Sequence, residues 1–154
     1  MNYEAWILEI YEENIRRVNP FYSQESIMSA VEKVDAIIVE TVHNLNSEWS
    51  TMLHEVLDSS GFYILEETED VFLAKKDFNC YYFLLSPDCM NGIYEDALSR
   101  GLEMYTVVLQ VDTFLEKILK EKIYKLLLSD YDELLYNKQA NLCLKSILQL
   151  NRLD

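Results

Sequence analysis

Between Phe62 and Leu85 the chain reads FYILEETEDVFLAKKDFNCYYFLL. Three runs of aromatic, β-branched and aliphatic residues are cut by TED and DFN, the pattern of a three-strand meander with tight turns. The predicted strands are 62–67, 71–76 and 80–86. The third run constrains the fold most. Side chains alternate along a strand, so Tyr81, Phe83 and Leu85 face one way and Cys80, Tyr82 and Leu84 the other. Both faces are apolar, and such a strand has to be covered on both. The first two runs are also largely apolar on both faces, up to Glu66-Glu67 and Lys75-Lys76, where they leave the core. A central sheet with helices on both faces is therefore expected.

The flanking sequence supplies helices. Tyr3, Trp6, Ile7, Ile10, Tyr11, Ile15 and Val18 recur at helical spacing, ended by Asn19-Pro20. Ser23 is placed to cap a second helix carrying Ile27, Val31, Val34, Ile38, Val42 and Leu45. Ala36 to Val39 widen that stripe, as if more than one side were buried. Ser47 restarts a shorter helix with Trp49, Met52, Leu53, Val56 and Leu57, stopped at Gly61 in a left-handed position. Ser86-Pro87-Asp88 signals a turn. A short helix over Ile93–Arg100 and a fourth strand, 104–111, follow. The link from Ser86 to Met104 is long enough for a helical crossover, which allows the third and fourth strands to be parallel. Thr113-x-x-Glu116 reads as a capping box for the next helix and Asp130-x-x-Glu133 as the start of the last, giving a C-terminal αα-hairpin. The expected architecture is α+β (or α/β), a mostly antiparallel four-stranded sheet in a single domain, 1–154.

Composition bounds what this fold can do. Three glycines and two prolines leave little for long loops or a glycine-built phosphate cradle. No apolar run approaches the ~18–20 residues of a membrane span. The acidic opening, MNYEAWILEIYEENIRR, is not a signal peptide. Cys80, Cys89 and Cys143 are odd in number and lack CxxC spacing, which reads as reduced thiols in the cytoplasm. The net charge is −14. Residues 1–70 hold 15 acids and 3 bases, net −12, and residues 71–154 hold 12 acids and 10 bases, net −2. That imbalance opposes nucleic acid and anionic membrane and speeds encounter with a basic partner.

Candidate chemistry is sparse. Glu40-x-x-His43 puts a carboxylate and an imidazole on one helical face, the spacing of carboxylate-bridged metal sites, but it occurs once where such sites need two. His54-Glu55-x-x-Asp58 has the form of a zinc-protease helix whose second histidine is an aspartate. Neither predicts a metal or other cofactor. P-loop, G-x-G-x-x-G, G-x-S-x-G and kinase signatures are missing. Cys80 lies in an apolar strand, so Cys89 is the more exposed thiol. The Lys117–Lys125 stripe, offset by Glu116 and Glu121, reads as a solvated helix face, or one that docks on acidic Glu4–Glu13 within one chain or across a homodimer.

From Trp49 to Val111 the predicted order helix–strand–strand–strand–helix–strand is similar to the core order of restriction-endonuclease-like nucleases. The resemblance is one of element order and covers less than half of the chain. That family's pattern puts an acid on the second strand and D/E-x-K on the third. The third strand here, CYYFLL, has neither, and Asp70 with Leu73-Ala74-Lys75 does not supply it. The order therefore does not bring an active nuclease with it.

The sequence thus points to a small acidic binding protein acting on a basic protein partner, itself one that binds nucleic acid in one version of this reading, as an inhibitor, immunity protein or nucleic-acid mimic. Eleven tyrosines suit an interface. The expected contact residues are Glu66, Glu67, Glu69 and Asp70 on the first hairpin and Glu9, Glu12 and Glu13 on the first helix. No direct contact with nucleic acid or membrane is expected. The alternatives are an enzyme of metal-dependent hydrolase or nuclease-like type, using Glu40, His43, His54 and the hairpin acids, and an acidic dimer similar in size and charge to secretion chaperones.

Overall fold

The computed structural model describes residues 2–18, 24–44, 49–132, 145, 146, 148 and 149. Among these, five α-helices and one four-stranded mixed sheet make an α+β fold. The order is α1 (Tyr3–Asn14), α2 (Gln24–His43), α3 (Trp49–Ser59), β1 (Tyr63–Glu67), β2 (Val71–Lys76), β3 (Asn79–Leu84), a 3₁₀ helix (Pro87–Gly92), α4 (Ile93–Ser99), β4 (Tyr105–Val108) and α5 (Val111–Asp132). Two compact units divide the chain, Leu45–Leu115 and Met1–Asn44 with Glu116–Asp154. The expected C-terminal hairpin falls largely outside the described residues, as do Asn19-Pro20, Ser23 and Cys143.

The Leu45–Leu115 unit holds the sheet, in the order β1-β2-β3-β4. β1, β2 and β3 pair antiparallel and β4 runs parallel to β3. Parallel pairing follows from the crossover through α4, which returns the chain to the start of β3. On one face Leu73, Tyr82 and Leu84 pack with Ile93 and Ala97 of α4. On the other, Phe72 and Phe83 are fully buried, and Phe62 and Phe114 meet Phe83 edge-on at centroid distances of 5.9 and 4.9 Å. Each such ring contributes about 1.5–3 kcal/mol by leaving water.

Both short helices around this sheet end in the same device. Gly61 (φ +86°) and Gly101 (φ +71°) take the left-handed turn that L side chains avoid. The amides that follow reach five residues back, Phe62 to the Leu57 carbonyl and Leu102 to the Ala97 carbonyl, closing α3 and α4.

Three strand assignments need correction. The fourth strand is 105–108 rather than 104–111, because Leu109 is exposed and the helix has begun by Val111. The Gln110 carbonyl already accepts the Phe114 amide, so α5 starts before the Thr113 box. The third strand is 79–84 rather than 80–86, and Leu85 instead donates its amide to the Asp70 carbonyl at 2.7 Å. The first strand is 63–67 rather than 62–67, and it is not buried on both faces. β1 lies at the margin of the sheet with one neighbour, and Tyr63 and Leu65 are 70% and 45% exposed.

The other unit contains α1, α2 and α5 from Glu116 onward. Asn2 caps α1, its Oδ1 accepting from the Ala5 amide at 3.2 Å. Ile7, Ile10, Tyr11 and Ile15 are buried, as the spacing predicts. In α2 the stripe Val31, Val34, Ile38 and Val42 is fully buried, while Ile37 and Val39 are half-buried and Ala36 is exposed. Leu119, Ile123 and Leu127 are the fully buried seam of α5. Lys117, Lys120 and Lys122 are half-buried, not a solvated face. Burial pushes the Lys122 ammonium down, and nearby Glu4 of α1 partly restores it. Tyr11 donates to Asp130 Oδ2 at 2.6 Å, so α1 and α5 are tied within one chain.

Tyr124 places its hydroxyl 2.9 Å from both carboxylate oxygens of Asp35. Burial raises the Asp35 pKa above the ordinary 3.8; the bond from Tyr124 and the charge of Lys120 pull it back only in part. The folded state therefore holds this proton more tightly than the unfolded chain, and the contribution of Asp35 to stability falls as pH rises through its folded pKa. Asp35→Asn is expected to be at least as stable as the wild type at neutral pH, with that difference vanishing below about pH 3.8. Urea denaturation of both proteins across pH measures it; a variant that loses stability at neutral pH contradicts the assignment.

Candidate functional site

Glu66 and Asp96, both paired with Arg100, line a cleft of about 250 Å³ between β1, β2, β3 and the 3₁₀–α4 segment. Its walls include Leu73, Tyr82 and Ile93, and its polar lining includes Glu66, Thr68 and Asp96. A larger groove of about 360 Å³ in the helical unit is walled by Tyr124, Leu128 and Leu148 with exposed Lys125 and Lys145.

A β-bulge builds the cleft. Ile64 pairs with Ala74, but the next pairing is Glu66 with Leu73, so Leu65 is the extra residue. Without that insertion Leu65 would stand opposite Leu73, and Glu66 would face the other side of the sheet. The bulge turns Glu66 to the face that carries Leu73 and Tyr82. It also puts Glu67 opposite Phe72, on the face where His54 of α3 meets it at 2.8 Å.

On the cleft side the charges form a chain. Tyr82 donates to Asp96 Oδ2 at 2.6 Å, and Arg100 Nε donates to the same oxygen at 2.9 Å. Arg100 also pairs with Glu66. Asp96 and Arg100 stand one helical turn apart, the spacing at which opposite charges on a helix meet. The Tyr82 ring is buried, so its hydroxyl pKa is driven well up, first by desolvation and then by the bond to Asp96. Tyr82 is therefore a neutral donor that fixes Asp96. At the rim, desolvation raises the Cys89 thiol pKa, and the charges of Asp70 and Asp88 add to it. The thiol stays protonated at neutral pH, which disfavours thiolate chemistry there.

The expected contact residues divide by unit and by pairing. Glu66 is paired with Arg100 and Glu67 with His54. Glu69 and Asp70 are exposed at the β1–β2 turn, where Thr68 Oγ1 accepts the Val71 amide at 3.0 Å. On α1, Glu12 pairs with Arg16 at 3.1 Å, while Glu9 and Glu13 are exposed. Among the described residues, Glu9, Glu13, Glu69 and Asp70 have no ion-pair partner.

The candidate metal and catalytic pairs are drawn elsewhere. His43 Nε2 pairs with Glu116 at 3.2 Å. His54 turns to Glu67. Among the described residues no three His, Cys, Asp or Glu side chains gather as a metal set would. Also among them, no helix is long and apolar enough to cross a membrane. Sequence reasoning missed Asp96 and Arg100, although their spacing in the predicted helix 93–100 was the available signal. Set against protein-family models, curated proteins and solved structures, the chain matches none.

Proposed function

We propose that this protein binds a basic protein partner by charge complementarity, in the manner of an inhibitor, an immunity protein or a nucleic-acid mimic. The observation that carries the reading is the unpaired acid of residues 1–70: Glu9 and Glu13 on α1, and Glu69 and Asp70 at the hairpin turn, exposed and without a base to hold them. Exposed carboxylates of one sign steer association and weaken with salt. Free thiols at Cys80 and Cys89 suit a reducing compartment such as the cytoplasm.

The test uses the full chain, immobilised, with two variants beside it, Glu9→Gln/Glu13→Gln and Glu69→Gln/Asp70→Asn. A partner of basic isoelectric point is expected to be retained at about 50 mM salt and lost at about 500 mM, where the screening length shrinks from over 10 Å to under 5 Å. At least one variant is expected to lose about five- to thirtyfold in affinity, the sum of two contacts worth roughly 0.5–1 kcal/mol each. Retention indifferent to salt and to both variants overturns the reading.

A further inference from the structure

We propose that the cleft beside Tyr82 receives a single lysine or arginine side chain of the partner; this rests on the reading of a basic partner and assigns its point of entry. The volume, about 250 Å³, is below the range of pockets that enclose a drug-sized ligand. It suits one long side chain. The walls are amphipathic in the way such a side chain requires. Leu73 and Ile93 are apolar and almost wholly buried, a surface for the methylene stem. The carboxylates of Glu66 and Asp96 wait for the cationic head.

Those carboxylates have capacity left. Arg100 takes Oε2 of Glu66 and Oδ2 of Asp96. Among the described residues, the remaining oxygens, Glu66 Oε1 and Asp96 Oδ1, accept no hydrogen bond. An ionised carboxylate accepts on both oxygens, so each can take a further donor. The charge balance selects the sign. One guanidinium faces Glu66 and Asp96, and Asp70 and Asp88 act on the rim at Cys89. The cleft is net negative with Arg100 in place. An anion is repelled; a neutral donor can hydrogen-bond to such a carboxylate, as Tyr82 does to Asp96, but only a cation also offsets the net negative charge. The entrance is open at Gly92, where an added side chain would begin in empty space.

Cys89 lines the cleft and reports its occupancy. In full-length protein carrying Cys143→Ser, with Cys80 buried, iodoacetamide labels Cys89. The probes are ethylguanidinium and n-butylammonium chloride, with sodium chloride at equal ionic strength and n-butanol as controls. At a probe concentration of about twice its Kd, labelling is expected to slow about threefold, as mass action requires. Sodium chloride and n-butanol are expected to have no effect. Glu66→Gln is expected to abolish the protection, and Gly92→Leu to remove it by filling the space without changing a charge. Protection by n-butanol equal to that by the cations, or no protection by either cation, overturns the proposal. So does unchanged protection in Glu66→Gln. Partner capture that survives Glu66→Gln and Gly92→Leu but is lost on neutralising Glu69 and Asp70 separates the two readings: the basic partner stands and the pocket falls.

Discussion

Replacing Phe83 by alanine is expected to destabilise the sheet unit by about 3–5 kcal/mol, the cost of deleting a buried aromatic ring. Phe83 is fully buried on β3, with Phe62, Tyr81 and Phe114 around it. These neighbours come from three separate parts of the chain, so they cannot collapse onto the space without dragging their own backbones. A whole domain is held by only about 5–15 kcal/mol, so a loss of this size is a large share of it. Cys80, three residues away on the same strand and buried, supplies the measurement. With Cys89→Ser and Cys143→Ser removing the other thiols, reagent reaches Cys80 only when the strand opens. Each ~1.4 kcal/mol is a factor of ten, so Phe83→Ala should accelerate labelling by roughly two to three and a half orders of magnitude. A change of less than tenfold would mean that the aromatic cluster is not what holds β3 down.

The second large effect is expected at Tyr11. Its ring is 1% exposed and its hydroxyl donates to Asp130 Oδ2, with Arg16 stacked over the ring face at 5.7 Å. Tyr11→Ala removes ring and hydroxyl together and should cost about 3–5 kcal/mol. Tyr11→Phe removes only the hydroxyl. The Asp130 side chain is 39% exposed, so water can replace the lost donor. That variant should cost about 1 kcal/mol. Urea denaturation of the two variants separates packing from hydrogen bonding. Equal losses would assign the stability to the hydroxyl and count against the ring.

What the sequence disclosed, and what it hid, follows from the range of the interactions. The run CYYFLL announced a buried central strand because alternation alone put apolar groups on both faces, and Phe83 and Tyr82 are indeed buried on opposite sides. Gly61 and Gly101 announced helix ends because few other residues adopt their φ. The bulge after Ile64 gave no such notice. Ile64-Leu65-Glu66 contains no glycine or proline, and a strict alternation sends Glu66 to the wrong face. The pairing of Glu66 with Arg100 spans 34 positions, and that of His54 with Glu67 spans 13, so no local spacing reveals them. Hence the hairpin acids read as one patch, whereas pairing splits them into two residues with a partner and two without an ion-pair partner among the described residues. The start of α5 was misplaced for a related reason. Thr113-x-x-Glu116 has the form of a cap, but Val111 is buried and draws the helix back to itself.

The margins of the sheet carry one more consequence. A marginal strand with regular spacing is a template on which further chains can grow into fibres. Here β1 is out of step at Leu65, so an arriving strand finds its ladder interrupted after two residues, with Glu66 and Glu67 beyond. At the opposite margin β4 offers only four residues, too short a track for a newcomer to hold. The irregularity that aims Glu66 at the cleft thus also works against polymerisation of the native protein, with no proline in either marginal strand to do it.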